Sequence, residues 1–253
     1  MGNSEKKTLS GSTRVGLLDE IRGFAILCMV VYHAMYDLKY IVGLDVPIFF
    51  EGWFNIIRDI FAGAFIFISG TVCRYSSNNL KRGVQCFFIG MVMTFVLPFF
   101  TGGTILFGIL HFMGISMMIF GLSEKVLDKL PALVGIILCV FLFMFTMNVQ
   151  HGYFGFGGFM QLGIPSAAYN AGVLFPFGIY GAGFYSSDYF PLFPWLFVFI
   201  AGSYFGIYAK KGVLPKFFYP THVRWLATVG KYTIWIYILH QPILYFIFTT
   251  IFR

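Results

Sequence analysis

From about residue 23 to its end the chain alternates long apolar stretches with short polar ones. The apolar stretches cover 23–42, 54–73, 84–100, 105–122, 132–147, 191–208 and 232–252, each close to the roughly 20 helical residues that cross a hydrocarbon core. The pattern predicts an all-α integral membrane protein, a bundle of about seven transmembrane helices. Residues 1–21, which include Lys6, Lys7 and Arg14, read as a cytoplasmic N-terminal segment, and 22–253 as a single transmembrane domain. The first apolar run is too long for a signal-peptide core and reads as a retained span. The stretch 167–183 is apolar enough for an eighth span, but one extra crossing would move Lys210 and Lys211 away from the other cations. Its glycines and Pro176 suit a re-entrant or cavity-lining segment instead, since irregular backbone at membrane depth must be covered by protein.

Composition excludes a water-soluble globule: 58% of the 253 residues are apolar and 11% charged, against about 25% charged in soluble domains. The net charge of +7 follows from the connections. Cations precede the first span and recur at Arg74/Lys81/Arg82, Lys125/Lys129 and Lys210/Lys211/Lys216/Arg224. They share one side if the spans alternate and 150–190 makes no net crossing. The positive-inside rule places that side in the cytoplasm of a bacterial cell membrane, with Arg253 outside. The charge is therefore read as topology, and no nucleic acid is expected as a partner. Cys28, Cys73, Cys86 and Cys139 occur singly, without a C-x-x-C pair, as small buried hydrophobes do, and no metal is expected. No internal repeat supports an inverted-repeat transporter.

Ionisable side chains inside spans are costly and mark functional hypotheses. They are Arg22, His33, Asp37, Arg58, Asp59, His111 and His240. Arg22 and His33 are eleven residues apart, about three turns and about 16 Å of rise, so they share a helix face that Asp37 continues one turn on. This stripe suits transfer from a long anionic donor such as coenzyme A, with phosphates at Arg22 and an arm reaching His33. His33 is then the general base, and Asp37 the group that fixes its tautomer. The bland alternative makes Arg22 a snorkelling anchor and His33 a hydrogen-bonded core residue. His33, His111 and His240 fall at similar depths, which allows one shared polar cavity. Pro242 frees the carbonyl of Ile238, which His240 or Gln241 can satisfy. Arg58 and Asp59 point about 100° apart on a helix and are expected to seek other partners. Asp188 reads either as a site residue or as a helix cap.

Several segments resemble a known group. They are Leu18-Asp19-Glu20-Ile21-Arg22-Gly23-Phe24-Ala25-Ile26, the 59–70 stretch ending Phe65-Ile66-Phe67-Ile68-Ser69-Gly70, Gly108-Ile109-Leu110-His111-Phe112-Met113-Gly114, Asp188-Tyr189-Phe190-Pro191 with Pro194-Trp195, and 230–242 ending Leu239-His240-Gln241-Pro242. Together these resemble the bacterial family related to heparan-alpha-glucosaminide N-acetyltransferase, from about residue 14 to the C-terminus. The Arg22-x10-His33 pattern and the Leu-His-x-Pro ending are similar to the wider acyltransferase-3 superfamily. The resemblance implies acetyl transfer across the membrane, from cytoplasmic acetyl-CoA to an amine or hydroxyl of a sugar or glycan on the other side. The family's lysosomal enzyme places its catalytic histidine in the loop after the first span. No histidine occurs here between His33 and His111, so the expected catalytic set is His33 and Asp37, with His111 and Asp188 as helpers. Arg22, Arg74 and Arg82 are expected to hold acetyl-CoA, and Arg58, Asp59 and His240 the acceptor. Two rival readings use the same charges: transport of a small anion or sugar, and haem ligation by the three histidines. The oligomeric state, a homodimer included, is left open.

Overall fold

The computed structural model describes residues 14–101 and 103–252; Lys6, Lys7 and Arg253 lie outside them. Among the described residues seven helices are long and apolar enough to span a membrane. They are α1 Gly16–Tyr40, α2 Gly52–Cys73, α3 Asn79–Thr101, α4 Ile109–Leu127, α5 Ala132–Thr146 with its continuation to His151, α7 Leu192–Lys211 and α9 Thr233–Ile251. Two short helices, α6 Ser166–Asn170 and α8 Arg224–Lys231, complete the set. α1 starts seven residues before its apolar run, so Asp19, Glu20 and Arg22 stand on the first helix. Phe88, Phe95, Phe99, Leu122 and Phe246 are among the large apolar side chains left exposed, as lipid contact requires.

α2 lies along α7, α3 along α4, α5 along α7, and α1 contacts α2, α8 and α9. Close approach explains the α2–α7 pair. A Cβ on Gly202 would stand 2.0 Å from the Phe67 carbonyl oxygen, and one on Gly70 1.9 Å from that of Phe199. Small residues let backbones meet where no hydrophobic effect drives helix association in lipid. Thr71 Oγ1 adds an interhelical bond to the Gly202 carbonyl at 3.0 Å. The principal apolar cluster joins Ile26, Ile66, Phe112, Phe120, Phe199 and Tyr237 across five spans.

The region between α5 and α7 makes no crossing. It forms an antiparallel hairpin, β1 Tyr153–Phe156 with β2 Met160–Gly163, then α6 and irregular backbone. It is tied to the α3–α4 connection by Ser187 N–H on Thr104 O (2.9 Å) and Phe190 N–H on Phe107 O (3.1 Å). The stretch 167–183 is thus no eighth span, and the cavity-lining role falls to the residues after it, Tyr185, Ser187 and Asp188.

At the opposite end the cationic connections meet. Arg74 is buried there, its guanidinium bonded to Asp128 (2.6 Å), Glu124 (3.4 Å) and the Ser203 carbonyl (3.0 Å) and stacked over Phe120. Lys210 donates to the Arg74 carbonyl at 3.0 Å. Glu20, also buried, accepts from the backbone N–H groups of His222 and Val223, tying the turn before α8 to α1. One end of the bundle therefore gathers most of the basic residues.

Candidate active site

α9 carries Tyr237, His240 and Gln241 at spacing i, i+3, i+4, which puts all three on one helical face. That face meets the His33–Asp37 face of α1. Between them, with Met93 and Leu97 of α3 and residues 103, 105, 185, 187 and 188 of the connections, lies a cavity of about 190 Å³. Its lining includes His33, Asp37, Asp188, Tyr237, His240 and Gln241 and, among the described residues, no Lys or Arg. The hydroxyls of Tyr36 and Tyr185, both lining residues, share a hydrogen bond.

The His33 and His240 rings lie 5.1 Å apart, centroid to centroid. His240 Nδ1 is 2.7 Å from the Tyr237 carbonyl oxygen. A carbonyl only accepts, so Nδ1 carries the proton and the neutral ring keeps its lone pair on Nε2. That Nε2 is buried without a partner. The bond goes to Tyr237 and not to Ile238, the carbonyl that Pro242 frees. Asp37 is fully buried and does not serve the His33 tautomer: both its oxygens accept from Gln241 Nε2 at 2.9 Å. This orients the amide and leaves Gln241 Oε1 buried without a donor.

Asp188 is both cap and site residue. Its Oδ2 accepts from the Ile109 N–H at the start of α4 (3.0 Å) and from the Tyr237 hydroxyl (2.7 Å). The oxygen fits because residue 108 is glycine; a Cβ there would stand 2.5 Å from it. The preceding Phe107 holds φ at 61°, a region bulky side chains rarely take. Burial pushes the Asp188 carboxyl above the usual range, opposed by the Tyr237 and Ile109 bonds and by the neighbouring His240 and His111.

Three expectations change. His111 does not line the cavity: its ring packs against Phe87 and Phe107. The Thr94 hydroxyl donates to the Ile105 carbonyl (2.7 Å) and faces His111 Nε2 at 3.3 Å, so His111 joins α3 to α4. Arg58 and Asp59 do pair, at 2.8–2.9 Å, because a long guanidinium stem folds back across the 100° between adjacent Cβ atoms. Arg58 also donates to Tyr32 at 3.2 Å, and neither residue lines the cavity. Arg74 is engaged by the carboxylates and carbonyl already described. Arg74 Nη2 and Arg22 Nε are both buried without a partner, and Arg22 has Asp19, Arg82 and Cys73 as electrostatic neighbours. Tyr237 and Gln241 were missed as site residues; their i, i+3, i+4 spacing with His240 was the available signal.

A family model, heparan-alpha-glucosaminide N-acetyltransferase, catalytic, matches residues 14–242. The chain belongs to that family. It is a membrane-bound, acetyl-CoA-dependent N-acetyltransferase family, and the match spans Arg22, the cavity and both of its imidazoles. No curated protein and no solved structure matches significantly.

Proposed function

We propose that the protein carries acetyl groups across the membrane, from acetyl-CoA at the basic end of the bundle to an amine that enters the cavity from the other end. The carrying observation is the pair of uncommitted groups on one helix. Arg22 offers an unpartnered buried Nε at the basic end, and His33, about 16 Å of helix rise away, lines the cavity. The positive-inside rule makes the basic end cytoplasmic, where acetyl-CoA is found. Arg22 and Arg82 are the cations suited to the donor's phosphates. A recess lined by Arg224, Lys231 and the Arg14–Asp19 ion pair adds net positive charge at that end.

The chemistry follows from the lining. Acyl transfer to an amine needs a base at the nitrogen, and an imidazole suits neutral pH. His33 faces the cavity and, among the described residues, has no hydrogen-bond partner. Asp37, locked by Gln241, supplies negative charge beside it, while Asp188 holds the start of α4 and Tyr237 in place. About 190 Å³ is less than the roughly 300–1,000 Å³ of drug-sized sites. It suits one terminal amino sugar or a similar small amine, not the interior of a polymer.

The test uses the protein in proteoliposomes, with labelled acetyl-CoA on one side and glucosamine on the other. His33→Ala should abolish transfer while the protein stays folded, and Arg22→Ala should raise the KM for acetyl-CoA more than that for the amine. Wild-type rates in folded His33→Ala protein would remove His33 from the mechanism. A KM effect confined to the amine would refute the phosphate assignment.

A further inference from the structure

Acetylating an ammonium removes two protons from one nitrogen, and the cavity presents two imidazoles. We infer that the adjacent α9 residues His240 and Gln241 receive the acceptor's ammonium, that His240 Nε2 takes its first proton, and that His33 takes the second. This rests on the acetyltransferase reading and deepens it.

Both α9 groups have been made one-directional by their neighbours. The Tyr237 carbonyl consumes the His240 Nδ1 proton, so Nε2 can only accept. The Asp37 carboxylate holds the Gln241 amide nitrogen, so Oε1 faces away from it and can only accept. Reversing the amide would set its oxygen against a carboxylate. Nε2 and Oε1 are both buried and unpartnered, and buried acceptors left unpaired are costly. The charged side chains of the lining are the carboxylates of Asp37 and Asp188, so the site suits a group that donates hydrogen bonds and carries positive charge. The groups facing His240 are His33 from α1, Asp188 from the connection before α7, and Tyr237 on its own helix.

The steps balance. R–NH3⁺ gives one proton to His240 Nε2, which exposes the nitrogen lone pair. That lone pair attacks the thioester carbon, the C–N bond forms, and the C–S bond breaks with its electron pair on the coenzyme A sulfur. His33 takes the surplus proton from nitrogen and the thiolate recovers it as CoASH. His240 then releases its proton to solvent. The net change is R–NH3⁺ plus acetyl-CoA to the acetamide, CoASH and one H⁺.

Two measurements test this. The first compares glucosamine with an O-alkyl hydroxylamine, whose nitrogen is already unprotonated at neutral pH. At a pH where the glucosamine amine is protonated, His240→Gln should slow transfer to glucosamine by roughly 100-fold or more and slow transfer to the neutral amine far less. His33→Gln should impair both. Equal loss with both amines in His240→Gln would overturn the inference. The second is ¹⁵N NMR of histidine-labelled wild-type protein, with His240 assigned by the signal missing from His240→Gln. A protonated Nδ1 and bare Nε2 in the ligand-free protein, with Nε2 shifting when glucosamine is added without acetyl-CoA, are expected; a protonated Nε2 before glucosamine is added would overturn it. Absence of any transfer by wild type to either amine would instead sink the acetyltransferase reading.

Discussion

Asp188 offers the most direct check on how the site is assembled. One oxygen, Oδ2, accepts both the Ile109 N–H and the Tyr237 hydroxyl. Asp188→Ala strands two donors in a buried setting, each worth about 1–3 kcal/mol when unsatisfied. Relief of the carboxyl's own desolvation offsets part of that, so a net loss of about 3 kcal/mol is expected. Asp188→Asn can place its amide oxygen where Oδ2 stands and keep both bonds, so its cost should be below about 1 kcal/mol. Gly108→Ala should behave like the alanine variant, because its Cβ would displace the same oxygen. The pH dependence has a definite sign. Burial holds the folded carboxyl above its unfolded value, so its contribution to stability is complete at low pH and declines as pH rises through the raised value. The asparagine variant should lack that slope. Equilibrium unfolding in mixed micelles at several pH values measures all of this. Equal destabilisation by alanine and asparagine would show that charge, not acceptor position, holds the cap, and would refute the reasoning.

Other consequences concern the basic end and the helix pairs. Arg74→Leu should cost about 1–3 kcal/mol, mainly through the Ser203 carbonyl and the Phe120 face, since its carboxylate partners are half-exposed and such pairs contribute little. Its KM for acetyl-CoA should stay near wild type in proteoliposome kinetics. Gly202→Ala drives a Cβ into the Phe67 carbonyl and should cost about 1–3 kcal/mol in micelle unfolding, or prevent accumulation in the membrane. Glu20→Ala leaves the His222 and Val223 N–H groups without their acceptor and should lose about 1–3 kcal/mol, whereas Glu20→Gln, which keeps the accepting oxygen, should lose less by the same assay.

Much of the membrane architecture was legible because hydropathy belongs to each residue singly. All seven spans were present in the apolar runs, and helix ends moved by a few residues where amphipathic turns such as 16–22 and 123–127 continue a helix past its apolar stretch. The absence of a crossing between residues 150 and 190 was also readable, from where the cations fall. The site was legible in part. His33, Asp37, Asp188 and His240 stood out as polar groups in or beside apolar surroundings, and the structure brings all four to one cavity.

Partner choice was not legible, because it is a property of pairs. Whether Asp37 serves His33, four residues away, or Gln241, 204 residues away, depends on the rotation and depth offset of α1 against α9. His111 does not line the cavity, and depth alone can be counted along a chain. Arg58 meets Asp59 because a flexible side chain reaches farther than its Cβ direction suggests. The sequence by itself therefore determined which segments lie in lipid, which end carries the cations and which polar residues had to find partners there. Only the tertiary structure decided the pairings, since a hydrogen bond acts over about 3 Å and the relative placement of two helices fixes which groups come that close.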